Sequence, residues 1–262
     1  MTPLADLFPD GDYRFHLTLR RGEPREFFGR HDLAGRILAE RARWLAAEPA
    51  RYAALLPEGE LLLTELSELG EKEWGLPPVT SVQELGARLE PDVLLLSRDA
   101  TGAFQLRGGA LCFPTGWALE EKLGHTLDFI HGVVPGLNTA LASPIQQFLA
   151  QLKPGIAFQR DNWGLVATDE LNLHPARRLP PPAPPVALDR LWLRVEHQAL
   201  VALPRTGGVL FGIRIALHRL DQVAKDPAAS AGLRRALISM PADVAAYKRL
   251  DQVRDAIVSL LA

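Results

Sequence analysis

Two long alternating runs joined by a short turn constrain this chain more than any other feature. In Leu191-Trp192-Leu193-Arg194-Val195-Glu196-His197-Gln198-Ala199-Leu200-Val201, strand side chains change sides at every residue. Leu191, Leu193, Val195, Ala199 and Val201 therefore face one way, and Arg194, Glu196 and Gln198 the other. One face is core. The opposite face carries a cation, an anion and an amide, which suits contact with water as well as it suits a pocket for a small polar molecule. Leu203-Pro204-Arg205-Thr206-Gly207-Gly208 then turns the chain into a second run, with Val209, Phe211, Ile213 and Ile215 on one face and Arg214 on the other. Opposed residues of an antiparallel pair point the same way. Joining the two apolar sets thus requires paired residue numbers with an even sum, which a three- or five-residue loop provides. Arg214 is then expected opposite Glu196 or Gln198, as a second cation on the polar stripe.

The remaining elements do not alternate strand with helix in the regular way of a parallel sheet. A strand is expected over 14–19. Apolar spacing predicts helices over 32–47 and 60–73, and Ser81-Val82-Gln83-Glu84 has the form of a capping box opening a third. Short apolar runs at 93–97, 104–106 and 110–113 are separated by Asp99-Ala100-Thr101-Gly102 and by Gly108-Gly109, the pattern of a meander of hairpins. Helices are expected at 118–123, 127–131 and 136–152, then a strand over 156–166 on which Arg160 and Asn162 share a face with Phe158. The proline-rich stretch 180–185 reads as an extended spacer. Helical segments near 218–225, 230–239 and 250–261 close the chain. This order predicts an α+β fold, and 262 residues can form one elaborated domain over 1–262.

Composition removes several classes of function. Charged residues are 23% of the chain and nearly cancel, at a formal net charge of −2, so no global field draws it to nucleic acid or an anionic membrane. Cys112 is the only cysteine, which excludes an intrachain disulfide and any thiolate cage built by this chain alone. With no basic-then-apolar leader and no long apolar run, a cytoplasmic protein without a membrane span is expected. Neither a metal-binding His-Glu-x-x-His motif nor a glycine-flanked nucleophilic serine occurs, so a zinc hydrolase and a serine hydrolase are disfavoured.

Several segments carry a resemblance: Ala110-Leu111-Cys112-Phe113-Pro114-Thr115-Gly116-Trp117, Glu121-Lys122-Leu123-Gly124, Ile130-His131-Gly132-Val133-Val134-Pro135-Gly136 and Arg160-Asp161-Asn162-Trp163. To these are added Leu193–Gln198 and Leu203–Arg214, in the same order and spacing. Together, over about Tyr13 to Leu261, they resemble the haem-dependent oxidative N-demethylase alpha-subunit-like family, which is also described as a domain of unknown function. The resemblance implies a PAS-like antiparallel sheet flanked by N-terminal and C-terminal helices and holding haem b. The activity it implies is an NADPH-dependent monooxygenase reaction, the oxidation of dimethylamine to methylamine and formaldehyde. FMN, the [2Fe–2S] cluster and the tetrahydrofolate function then reside on partner reductase subunits.

By the same resemblance His131 is the expected iron ligand, with His125 in reserve. Its plain alternative is a core histidine near a helix end. Glu196 is expected to orient the amine and tune its protonation, while Arg194 or Arg214 polarises bound oxygen or holds a propionate. Arg160, Asn162 and Gln198 are expected to line the cofactor pocket. Three positions depart from the family pattern: His197, Ala199 and Gly212. A haem-based gas or redox sensor, or a haem-binding module without catalysis, is the competing reading. A third is a haem-free fold in which Arg194 and Glu196 form only surface ion pairs.

Overall fold

The protein, described over residues 3–262 in a computed structural model, is organised around one seven-stranded antiparallel sheet. Its strands are β1 (Arg20–Gly22), β2 (Ala53–Leu55), β3 (Asp92–Arg98), β4 (Phe104–Ala110), β5 (Ala157–Val166), β6 (Trp192–Leu203) and β7 (Gly208–Arg219). They lie in the order β1-β5-β6-β7-β3-β4-β2. With helices packed on the sheet, the architecture is α+β, as the order of elements implies. No helix among the described residues is long and apolar enough to cross a membrane.

The β6–β7 hairpin is the longest pairing, and its register differs from the expected one. Leu203 pairs with Gly208, His197 with Arg214 and Trp192 with Arg219, so paired numbers have an odd sum and the loop is residues 204–207. A tertiary contact explains the difference. The buried carboxylate of Glu65, on the helix Glu60–Leu69, accepts hydrogen bonds from Arg205 N at 2.6 Å, Thr206 N at 2.8 Å and Thr206 Oγ1 at 2.5 Å. Gly207, at φ +68°, completes the turn in a left-handed conformation that glycine adopts without strain.

That register puts the apolar side chains of β7 on the same sheet face as the polar stripe of β6, and both faces are covered. On the polar side, Leu200, Phe211 and Ile213 pack with Leu94 and Leu96 of β3 beneath Leu127, Ile130, Phe148 and Leu149, from the helices Leu127–His131 and Leu137–Ala150. The other face is divided. At the turn end Ala199, Val201, Leu203 and Leu210 meet the N-terminal helices through Leu62, Leu66 and Phe28. At the far end Leu165, Leu193 and Val195 meet Leu233, Leu237 and Ile257 of the C-terminal helices. Each fully buried leucine here contributes about 1.5–3 kcal/mol. The stripe is therefore not a solvated surface: Arg194, Glu196 and Gln198 are 0%, 9% and 7% exposed.

Other elements follow the sequence with local changes. Ser81 caps the helix Val82–Arg88 by accepting from Glu84 N, but the Glu84 carboxylate reaches back to Thr80 N instead of Ser81 N. Gly108-Gly109 does not form a turn; it lies inside β4, next to a register shift opposite Leu95 and Leu96. A Cβ at Gly109 would sit 2.1 Å from Val93 O, so only glycine permits this strand approach. Residues 14–19 are not a strand, and β1 begins at Arg20. β7 continues through His218 before the helix Leu220–Val223, and the helix Ala242–Tyr247 precedes the last one, Arg254–Leu260.

Candidate functional site

Arg194, on the polar face of β6, is fully buried and fully engaged. Its Nε donates to Thr115 Oγ1 at 2.9 Å, and Nη2 donates to the carbonyls of Phe113 and Leu171, each at 2.8 Å. Nη1 reaches Glu170 O at 3.3 Å. The guanidinium thus ties two loops, 113–115 and 170–171, to the centre of the sheet. Burial pushes its pKa down to about 10, against the pull of Glu196 and Asp92. Its side chain builds the wall of a site and has few donors left for a ligand.

Glu196 is the group with spare capacity. Its Oε2 accepts from Gln198 Nε2 at 2.8 Å and from Asn162 Nδ2 at 3.2 Å. Asn162 stands opposite Glu196 in the β5–β6 register, and Arg160 opposite Gln198. Among the described residues Oε1 has no hydrogen bond and the carboxylate no ion pair. Next to it Arg160 is half-buried, its Nε buried without a hydrogen-bond partner. Burial lowers the Arg160 pKa while Glu196 and Asp161 raise it. The expected cluster of Arg160, Asn162, Glu196 and Gln198 is thus brought together on one face.

A cavity of about 640 Å³ opens over this stripe, within the range of roughly 300–1,000 Å³ typical of ligand sites. Its floor is Asn162, Gly164, Arg194 and Glu196; its walls are Trp117, Trp163, Leu165 and Pro180–Pro182; Tyr247 and Lys248 close one side. Gly164 leaves the floor open opposite Arg194, since a Cβ there would meet nothing within 4 Å. A smaller cavity of about 160 Å³, lined by Tyr13, His16, Val134 and Arg160, shares Asn162, Trp163, Tyr247 and Lys248 with the first. Lys248 Nζ donates to Trp163 O at 2.7 Å, and burial pushes its pKa down to about 8, with Glu196 opposing and Arg160 reinforcing. Burial raises the Tyr13 phenol to about 12, with Arg160 opposing. Sequence reasoning missed Tyr13, Tyr247 and Lys248. All three reach the site from outside the sheet, and no spacing in the chain signals it.

Arg214 does not belong to this cluster. The odd register places it beside His197 on the opposite face, where Nε donates to Phe27 O at 2.7 Å, Nη1 to Glu90 Oε2 at 2.7 Å, and Nη2 to Gly29 O. Glu90 also accepts from His31 N and Asp32 N. Despite burial, these donors hold its carboxyl below the usual range. Arg214 therefore anchors the segment 27–32. His197, at an odd position of β6, meets Asp161 through Nδ1 at 2.6 Å, beside a second cavity of about 790 Å³ lined by Arg20 and Arg214 and also by Arg160 and Gln198, neither of which lines the 640 Å³ cavity. Ala199 is in the core as expected.

His131 ends the helix Leu127–His131 in the layer above the polar face, half-buried and with no hydrogen bond to its ring among the described residues. Burial lowers its pKa and the nearby charge of Arg160 lowers it further, while Asp128 opposes. Both influences favour the neutral imidazole, the form that ligates metals. His125 is stacked on Phe129, with ring centroids 4.0 Å apart.

Fold and site together define a class: an α+β sheet protein with a buried carboxylate and a cavity of cofactor size on one sheet face. A family model, haem-dependent oxidative N-demethylase, alpha subunit-like, matches residues 63–258. The chain belongs to that family. The match takes in β3 to β7, and with them every residue of the polar stripe. The 640 Å³ cavity is of a size for a cofactor, but its lining holds no free iron ligand: its only imidazole is His174, which Glu120 holds, and neither His131 nor Arg160 is among its residues. No three His, Cys, Asp or Glu side chains among the described residues converge on a bare metal site, whereas iron held in a macrocycle needs only an axial ligand from the protein.

Proposed function

We propose that this chain is the haem-binding subunit of an oxidative N-demethylase. It holds haem b and a small secondary amine such as dimethylamine between the sheet and its roof, and it receives electrons from reductase subunits that carry FMN and a [2Fe–2S] cluster. A cytoplasmic setting and a PAS-like character of the antiparallel sheet belong to the same proposal. The observation that carries it is Glu196: a buried carboxylate, fixed by two amides through one oxygen, with the other oxygen free of any protein donor.

Bound haem would supply oxygen activation, and His131 would hold its iron, as the family resemblance implies. The protein's part is to select and orient the amine. Glu196 Oε1 accepts an N–H of the secondary ammonium and is the atom that can take up its proton. Asn162 and Gln198 keep the carboxylate from rotating, because both donate to Oε2. Trp117 and Pro180–Pro182 exclude water and leave the methyl groups in apolar surroundings. Arg194 acts through position, holding the loops that form the walls, and Arg160 supplies an unspent N–H beside Glu196.

Expression with a haem precursor tests this reading. A Soret band is expected, and titration with dimethylammonium chloride is expected to shift it. Glu196→Gln should keep the haem and lose the amine-induced shift; unchanged amine affinity would remove Glu196 from substrate binding. His131→Ala should lose or loosen haem, and full retention with an unaltered spectrum would place the ligand elsewhere. A wild-type protein without a Soret band refutes the haem reading.

A further inference from the structure

Two opposite charges face the 640 Å³ cavity without meeting. Glu196 and Lys248 both line it, and the carboxylate's charge is felt at the lysine, where it works to raise the pKa. Yet no ion pair joins them among the described residues. Each is held by something else. Gln198 and Asn162 fix Glu196 through Oε2 and leave Oε1 open. Lys248 Nζ gives one hydrogen bond, to Trp163 O at 2.7 Å, and lies 5.3 Å from the centre of that residue's ring. An ammonium group has three N–H donors, so the lysine keeps donors for a ligand. A carboxylate and an ammonium kept apart across one cavity are complementary to a molecule of reversed polarity, with an ammonium at one end and a carboxylate at the other.

The rest of the lining favours the same kind of occupant. Arg178, Arg194 and Arg249 also face the cavity, and Glu196 is its one carboxylate. None of these arginines has a carboxylate partner among the described residues, and the donors of Arg194 go to carbonyls and a hydroxyl. A bare ammonium such as dimethylammonium adds positive charge to a space already rich in it. A zwitterion adds none. We infer that the amine which Glu196 orients carries a carboxylate of its own: the substrate class is an N-methyl amino acid, with its secondary ammonium on Glu196 Oε1 and its carboxylate on Lys248. The inference rests on the reading of Glu196 as the amine-binding group and deepens it by fixing the second charge of the substrate.

Isothermal titration calorimetry of the full chain, expressed with a haem precursor, reads binding without turnover. The two probes are N-methylglycine and N-methylethanolamine, which share the methylammonium end and differ in a carboxylate against a hydroxyl. The wild type is expected to bind N-methylglycine more tightly by on the order of tenfold or more, as one charge-assisted hydrogen bond supplies. Lys248→Met should lose that factor for N-methylglycine and bind N-methylethanolamine no more weakly than the wild type does. Glu196→Gln should weaken both. Equal affinities in the wild type, or a Lys248→Met protein that keeps the preference, overturns the amino-acid class; weakening of both probes by Glu196→Gln then leaves the amine reading standing. A wild type that binds neither probe, or a Glu196→Gln protein that binds both as the wild type does, overturns the amine reading and the inference with it. The comparison of the two probes on the wild type decides the class even where Lys248→Met does not fold.

Discussion

Replacing Arg194 by methionine separates a wall-building role from a ligand-binding one. Methionine keeps most of the buried aliphatic stem and removes the guanidinium. Three bonds of 2.8–2.9 Å and one of 3.3 Å are lost. At about 1.5–3 kcal/mol for each charge-assisted bond, the three short ones contribute roughly 6 kcal/mol. Opposing them is the cost of burying the cation. A pKa pushed from 12.5 to about 10 corresponds to about 3 kcal/mol, at about 1.36 kcal/mol per unit. The net loss on substitution is therefore about 3 kcal/mol, or roughly 6–12 °C in melting temperature at 2–4 °C per kcal/mol for a chain of this size. Urea unfolding should show a lower midpoint with an unchanged slope. Amide hydrogen exchange should accelerate in residues 113–116 and 170–173 while the helix Pro227–Ser239 stays protected. An Arg194→Met protein as stable as the wild type, with unaltered exchange in both loops, would refute the clamp.

Three further outcomes follow from the same geometry. Lys248, with a folded-state pKa of about 8 against an ordinary value of 10.5, loses its charge as pH rises through 8. The folded state disfavours protonated Lys248, so in urea unfolding the wild type should gain stability relative to Lys248→Met between about pH 8 and 10.5. Gly164→Val places a side chain in the cavity without a clash; it should leave the melting temperature within a few degrees of wild type and weaken amine binding at least tenfold, on the order of a clash inside a fitted site. Arg41→Met strands the fully buried Asp92, whose carboxylate is bonded to Arg41 Nη1 at 2.6 Å and to the backbone N–H groups of Cys112 and Phe113. Chemical denaturation should show a loss of about 3–5 kcal/mol.

Local pattern determined much of this protein. The alternation of β6, the facing of Arg160 and Asn162 along β5, the Ser81 cap and the helices over the middle of the chain all follow from side-chain spacing and short-range hydrogen bonding, which act within a few residues. The motifs at Ala110–Trp117, Ile130–Gly136 and Leu193–Gln198 also carry the resemblance to the family. Register and burial were different. Whether the stripe Arg194, Glu196 and Gln198 meets water depends on what lies above it: the loops 113–115 and 170–171 bonded to Arg194, and the helices Leu127–His131 and Leu137–Ala150 packed over the neighbouring Leu200, Phe211 and Ile213. The hairpin register was set by Glu65, some 140 residues away in sequence, whose carboxylate binds two backbone N–H groups of the turn. A one-residue slip then moved Arg214 to the opposite face, because strand side chains alternate with period two. Tyr247 and Lys248 joined the site for a related reason. A long-range contact leaves no mark on local periodicity, so only tertiary packing could bring those two near Glu196.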